Sequence, residues 1–149
     1  MRDLHLDELK MEEYHEKIWQ VHLSISDFFS EYAASVGLTF SAFKVLGILY
    51  KKKSCTQKDI MQLTYLPKQT VNAIINNFNK QGIIEEPVEA QNDKRNKVIT
   101  FSEKGQVYAD EIIQKIKKAT FNALNNMGEK NRNALIESIT QFRENLKLE

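Results

Sequence analysis

Residues 56–105 read TQKDIMQLTYLPKQTVNAIINNFNKQGIIEEPVEAQNDKRNKVITFSEKG, and their order decides the fold. Thr56 opens a helix, with Asp59 three residues on as an acidic variant of the capping box. Ile60, Met61 and Leu63 are expected to face inward, and Thr64, Tyr65 and Leu66 to make a turn. Pro67 suits the first turn of a second helix, where a missing N–H costs nothing. In that helix Val71, Ile74, Ile75 and Phe78 fall at i, i+3, i+4 and i+7, which defines a buried face. Gly82 ends it. Ile83 and Ile84 lead a strand that Pro87 interrupts or places at a sheet edge. Gln91-Asn92-Asp93-Lys94 reads as a turn, and Lys97 to Phe101 as a returning strand. Helix, turn, helix and basic hairpin together hold one helix where a DNA groove can receive it.

The outward face of the second helix sharpens that expectation. It centres on Gln69, Ala73, Asn76 and Lys80, flanked by Asn72 and Asn77, with Lys68 at its N-terminal edge. An ordinary solvated face would carry Glu and Lys, which form helices better than Asn. A solvated surface does not explain poor helix formers gathered on one side. Carboxamides that hydrogen-bond base edges do explain it.

Outside this stretch the chain is helical. A first helix is expected over residues 6–35, ending before Gly37. Met11, Tyr14, Ile18, Val21, Ile25, Phe28 and Tyr32 alternate by three and four, which is one helix face. His15, Trp19, His22, Ser26, Phe29 and Ala33 make a second stripe beside it. Two stripes are too wide for a helix that meets one neighbour, and a second copy of the chain is the simplest further partner. Thr39 caps the next helix, which carries Phe43, Leu46, Ile48, Leu49 and Tyr50 and closes on Lys51-Lys52-Lys53. That triple lysine reads as a solvated helix end before it reads as a base contact. Ser102 caps a fifth helix from Glu103 to about Met127, Gly128 breaks it, and a last helix runs from about Lys130 to Leu146. The fold class is mainly α with a small β-hairpin wing. The DNA-binding lobe spans 39–104, and the dimerisation helices span 6–35 and 105–148.

The bulk numbers agree with one folded domain of 149 residues, 42% hydrophobic and 28% charged. Five glycines and two prolines favour long helices. The net charge of +1 hides a gradient. Residues 1–50 hold four Lys/Arg against eight Asp/Glu, net −4; residues 51–104 hold ten against six, net +4; residues 105–149 hold seven against six, net +1. Such a balance excludes a nonspecific nucleic-acid coat and permits a positioned basic segment. No apolar run reaches the roughly 20 residues needed to span a bilayer. The acidic N-terminus has no apolar core of a signal peptide, so cytoplasm is the expected compartment. The single cysteine, Cys55, rules out an internal disulfide and, at a helix junction, reads either as a buried structural thiol or as an oxidant sensor. His15 and His22 with Glu12 or Glu16 lack the tight spacing of a metal site, so neither metal nor cofactor is expected.

Three segments resemble the MarR family of winged helix-turn-helix transcriptional regulators. Leu38-Thr39 with Phe43 and Leu46 is similar to the family's LTxxxFxxL opening. Pro67-Lys68-Gln69-Thr70-Val71, running to Lys80-Gln81-Gly82-Ile83-Ile84, resembles its recognition helix and exit. Asp93 to Gly105 resembles its wing, DxRxxxxxLTxxG, in register, with Phe101-Ser102 in place of Leu-Thr. The resemblance covers nearly the whole chain and implies a homodimer that binds double-stranded DNA under the control of a small molecule or of oxidation. It implies that Arg95 enters the minor groove, braced by Asp93. Glu86-Pro87 departs from the pattern, since many members carry arginine there.

Read together, these features give a DNA-contacting set of Lys68, Gln69, Thr70, Asn72, Ala73, Asn76, Lys80, Asp93, Lys94, Arg95 and Lys97. The expected target is an A·T-rich inverted repeat with half-sites about one turn apart, and repression is the expected outcome. Trp19, His22 and Phe29 are the residues available to an effector pocket, although apolar stripes more often pack a dimer. No catalytic motif stands out, so an enzyme is not expected. The rival reading is a winged-helix protein-interaction module, which needs an acidic or apolar face where this chain has carboxamides.

Overall fold

The computed structural model describes the backbone of residues 2–90 and 93–148; the side chains of residues 2–6 and 89–96 lie outside that description. The order of elements is α1 (Arg2–Ser35), α2 (Phe40–Lys52), β1 (Ser54–Thr56), α3 (Gln57–Thr64), α4 (Lys68–Lys80), β2 (Val88–Ala90), β3 (Asp93–Thr100) and α5 (Glu103–Asn145). The chain divides into two compact units, Met1–Ala109 and Asp110–Glu149.

In the first unit the helix boundaries follow the expected caps. Thr39 accepts a hydrogen bond from the Ala42 amide at 3.0 Å and starts α2. Thr56 starts α3 with both halves of a capping box. Its hydroxyl accepts from the Asp59 amide, and its own amide donates to the Asp59 carboxylate at 2.8 Å. Pro67 sits at the cap of α4, one residue outside the helix, and its carbonyl accepts from the Val71 amide at 3.1 Å.

The core is built where the apolar periods of these short helices meet. Phe43, Val45, Leu46 and Leu49 of α2, Ile60 of α3, and Val71, Ile75 and Phe78 of α4 are all buried. Ile83, Ile84 and Ile99 extend the core under the sheet. Fully burying such side chains stabilises by about 1.5–3 kcal/mol each. Leu63 was expected inside but is 45% exposed. The buried residue at the end of α3 is Thr64, whose hydroxyl donates to the Ile60 carbonyl at 2.6 Å. A threonine fills that place because a local back-bond satisfies its one polar group.

The sheet has three strands in the order β1-β3-β2, both pairs antiparallel. The wing is therefore more than a hairpin, because β1 adds Ser54, Cys55 and Thr56 opposite Thr100, Ile99 and Val98. The expected strand at Ile83-Ile84 is only a bridge from Ile84 to Phe101, and β2 proper begins after Pro87, which has no N–H for the ladder. β2 and β3 shift register between Glu89 and Ala90. The expected turn at Gln91-Asn92 lies outside the described residues.

α1 joins this unit through its C-terminal end. Ala33 is fully buried, and the Tyr32 ring meets Phe43 edge-on at 5.7 Å. By contrast, residues 7–25 are exposed at every position. In the second unit α5 is broken at Gly128, whose φ of 77° and ψ of 160° are not helical. Arg132 spans the break, donating to the Leu124 carbonyl and to Asn125.

Candidate nucleic-acid interface

The path from α4 to α5 shows why the second half of the wing motif has its residues. Ser102 is the hinge pin. Its amide donates to the Ile83 carbonyl at 3.0 Å, and its hydroxyl donates to the Gly82 carbonyl at 2.5 Å. The same oxygen accepts from the Gly105 amide at 2.9 Å, capping α5. Lys104 adds a bond to the Gln81 carbonyl at 3.2 Å. Gly105 faces the backbone of Ile83 so closely that an added Cβ would lie 1.7 Å from the Ile83 carbonyl oxygen. The exit of α4 and the start of α5 are thus clamped backbone to backbone, and α4 is held rigidly from its C-terminal end.

From that clamp α4 presents its outer face. Gln69, Asn72, Ala73, Asn76, Asn77 and Lys80 are exposed, and Thr70 is half-buried. The carboxamides are not equivalent. Gln81 donates to the Asn77 side-chain oxygen at 2.9 Å, and Asn79 donates to the Glu86 carboxylate at 3.0 Å. Gln69, Asn72 and Asn76 have no hydrogen-bond partner among the described residues. A carboxamide offers a donor and an acceptor side by side, the pattern that matches adenine in the major groove. The three unpartnered groups are those free to make that match. The sequence alone does not separate them from Asn77, because the ties depend on where Gln81 and Glu86 fall.

Beside this face lies an open cleft of about 450 Å³. Asn72, Asn76, Asn79 and Lys68 of α4, Lys58 and Gln57 of α3, Lys97 of β3 and Glu86 all line it. It brings Lys68, Asn72, Asn76 and Lys97 together, as expected, and adds Lys58, which pattern reading missed. Its position at the start of α3, four residues before Gln62, carries no signal until the cleft is seen. Gln57 places its side-chain nitrogen in a buried position without a partner. The cap of α4, Pro67, supplies no side-chain acceptor to the first amides of the helix. Such amides and lysines suit phosphate oxygens. The side chains of Asp93, Lys94 and Arg95 lie outside the described residues, while their backbone forms the start of β3.

The remaining expected residues fall elsewhere. Trp19 and His22 are exposed on α1, their rings 5.8 Å apart, and Phe29 is half-buried beside Phe28. Among the described residues no three His, Cys, Asp or Glu side chains are grouped to hold a metal ion. Cys55 is buried in β1, and burial first, then the Asp59 charge, push its thiol up to about 11. A thiol so protonated is a poor nucleophile and a poor sensor. No single helix among the described residues is long and apolar enough to cross a membrane.

Comparison with known proteins matches this geometry. The profile of the MarR family fits residues 36–96. A MarR family regulator from Neisseria meningitidis is 26% identical with a TM-score of 0.75, covering 87% of this chain and 90% of that one. The HTH-type transcriptional regulator YwhA of Bacillus subtilis (strain 168) is 34% identical over 70 residues, 47% of this chain. That match spans 50% of YwhA, half the length of the relative. A MarR family transcriptional regulator from Listeria monocytogenes, solved with 26mer DNA, has a TM-score of 0.72 at 22% identity, covering 87% of this chain and 86% of that one. At that identity the likeness is one of fold.

Proposed function

We propose that this chain is a MarR-family winged helix-turn-helix regulator, binding DNA sequence-specifically as a homodimer rather than acting as an enzyme, a reading supported by the profile match and the Neisseria meningitidis structure. The observation that carries the reading is the exposed face of α4, with unpartnered carboxamides at Gln69, Asn72 and Asn76 beside a cleft rimmed by Lys58, Lys68 and Lys97. Such a face reads bases, and such a rim holds phosphates. An interaction module without DNA needs an acidic or apolar face there, which α4 does not have.

The pairing apparatus is 6–35 and 105–148. Leu9, Met11, Tyr14, Ile18, Val21, Ile25 and Phe28 leave α1 with a long uncovered apolar face. Folded monomers rarely expose such a continuous patch. A second copy laid along it covers the face by two-fold symmetry. Two copies of α4 then enter successive major grooves on one side of the duplex. Ala73 packs on thymine methyls, and Arg95 of each wing enters a narrowed A·T minor groove, braced by Asp93. Lys68, Lys80, Lys94 and Lys97, with Thr70 at the helix start, fix the register on phosphates.

Repression follows from occupancy of such a site over a promoter, in the cytoplasm where the DNA lies. Release requires a ligand that binds the DNA-incompetent spacing of the lobes better than the competent one. Trp19, His22 and Phe29 offer an aromatic wall for it, and linkage requires DNA to weaken that ligand by the same factor. Selection of bound duplexes from a random pool tests the whole reading. The expected product is an A·T-rich inverted repeat, and a pool with no enriched sequence would overturn it.

A further inference from the structure

Among the described residues Glu86 is the one acidic side chain lining the cleft that Lys58, Lys68 and Lys97 rim. It lies just past the C-terminal end of α4 and is exposed. One carboxylate oxygen accepts from Asn79 at 3.0 Å. That bond ties Asn79 back toward the wing and holds the carboxylate in the cleft. No described lysine lies within ion-pair distance of it. A carboxylate thus lies, hydrogen-bonded to the recognition helix itself, among groups suited to phosphate.

We infer that Glu86 is an affinity-limiting residue that opposes the phosphate backbone and so weakens the sequence-independent part of DNA binding. The inference rests on the DNA-binding reading of α4 and goes beyond it, since it assigns an unfavourable contact. Its placement fixes which part of the DNA it meets. Residues near the start of a recognition helix reach base edges, whereas Glu86 stands at the far end, where the groove wall carries phosphates. Its charge subtracts from every duplex alike. The unpartnered carboxamides of Gln69, Asn72 and Asn76 add only where the bases match. Because the subtraction is common to all duplexes, Glu86 sets the overall affinity, while the selected-to-random ratio is left to the carboxamides.

The experiment compares wild type, Glu86→Gln and Asn79→Ala on two duplexes, a random one and one enriched by selection, by fluorescence anisotropy over a range of salt. Gln keeps the size and an acceptor for Asn79 while removing the charge. Two like charges about 4 Å apart in water repel by an amount worth about a factor of five in a binding constant. The expected result is random-duplex binding about fivefold tighter for Glu86→Gln, with a steeper log-affinity slope against log salt. The selected duplex tightens by the same factor, so the ratio of selected to random affinity stays within about twofold. Asn79→Ala, which keeps the charge, leaves random-duplex affinity within about twofold on that account. Unchanged or weaker random binding by Glu86→Gln overturns the inference while leaving the DNA-binding reading intact. Equal tightening by both variants also overturns it, because the tie and not the charge would then be responsible. Failure of wild type to bind any duplex removes the DNA-binding reading, and the inference with it.

Discussion

The winged lobe and the first helix are built to opposite plans. Within the lobe, every apolar period finds a partner in the same chain. Val71, Ile75 and Phe78 of α4 close on α2 residues Val45, Leu46 and Leu49 in one buried core, and backbone bonds through Ser102 lock the exit of α4. Along α1 the same kind of period runs through residues that stay exposed from 7 to 25, and Tyr32 and Ala33 anchor its end. On the proposed reading the lobe is complete in one chain, whereas α1 is completed by a second copy. Reading DNA and pairing chains are thereby separable, and substitutions can damage one without the other.

Gly105→Ala should strike hardest, and only at the lobe. Its Cβ would sit 1.7 Å from the Ile83 carbonyl oxygen, a backbone atom that cannot turn aside. A loss of about 3 kcal/mol or more is expected, as for severe overpacking. Thermal melts of the purified variant check it, and a melt within a degree or two of wild type would show that the clamp is not needed.

Ile18→Glu should do the reverse. Ile18 is 45% exposed and takes no part in the lobe core. A carboxylate in the paired face must be desolvated without a partner, so dimer dissociation should rise about a hundredfold. Sedimentation equilibrium reads this directly, while the helical circular dichroism of the lobe persists. An unaltered dimer would mean that α1 pairs through another face.

Arg95→Ala should leave both plans standing and, on the proposed reading of the wing, remove one groove contact. Specific binding should weaken by more than about 1 kcal/mol with folding unchanged. Undiminished affinity for the selected duplex would withdraw the wing from the interface.

Cys55 provides the smallest effect and a pH signature for the lobe alone. Burial raises its thiol to about 11, so the native state favours the protonated form. Its contribution to stability is complete below the ordinary thiol pKa and is lost as pH rises toward 11. Denaturant midpoints should therefore fall between about pH 9 and 11 more steeply in wild type than in Cys55→Ala. Parallel curves would show that the thiol is freely solvated.

Much of this division is legible before any coordinates. The capping pairs at Thr39 and Thr56-Asp59, the buried face of α4 and the break at Gly128 all follow from local rules, because each depends on residues within a turn or two. What escapes local reading is set by distant partners. Ser54, Cys55 and Thr56 become a strand only because β3 pairs with them from the far side of the lobe. Lys58 enters the cleft only when α3 packs against α4 and the sheet. Asn77 and Asn79 resemble Asn72 and Asn76 until Gln81 and Glu86 tie them back. Leu63 carries the right chemistry for the core and lies outside it, because Thr64 occupies the inward position.

The separation of lobe and helix makes one demand on the DNA. If each chain reads one half-site and α1 fixes the distance between two readers, the operator has a rigid spacing. Inserting half a helical turn, about five base pairs, between the half-sites of the selected duplex turns them to opposite sides. Anisotropy titration should then show affinity falling to that of a single half-site. Affinity equal to that of the uninterrupted operator would contradict the account, because readers held by a common pair of helices cannot follow such a rotation.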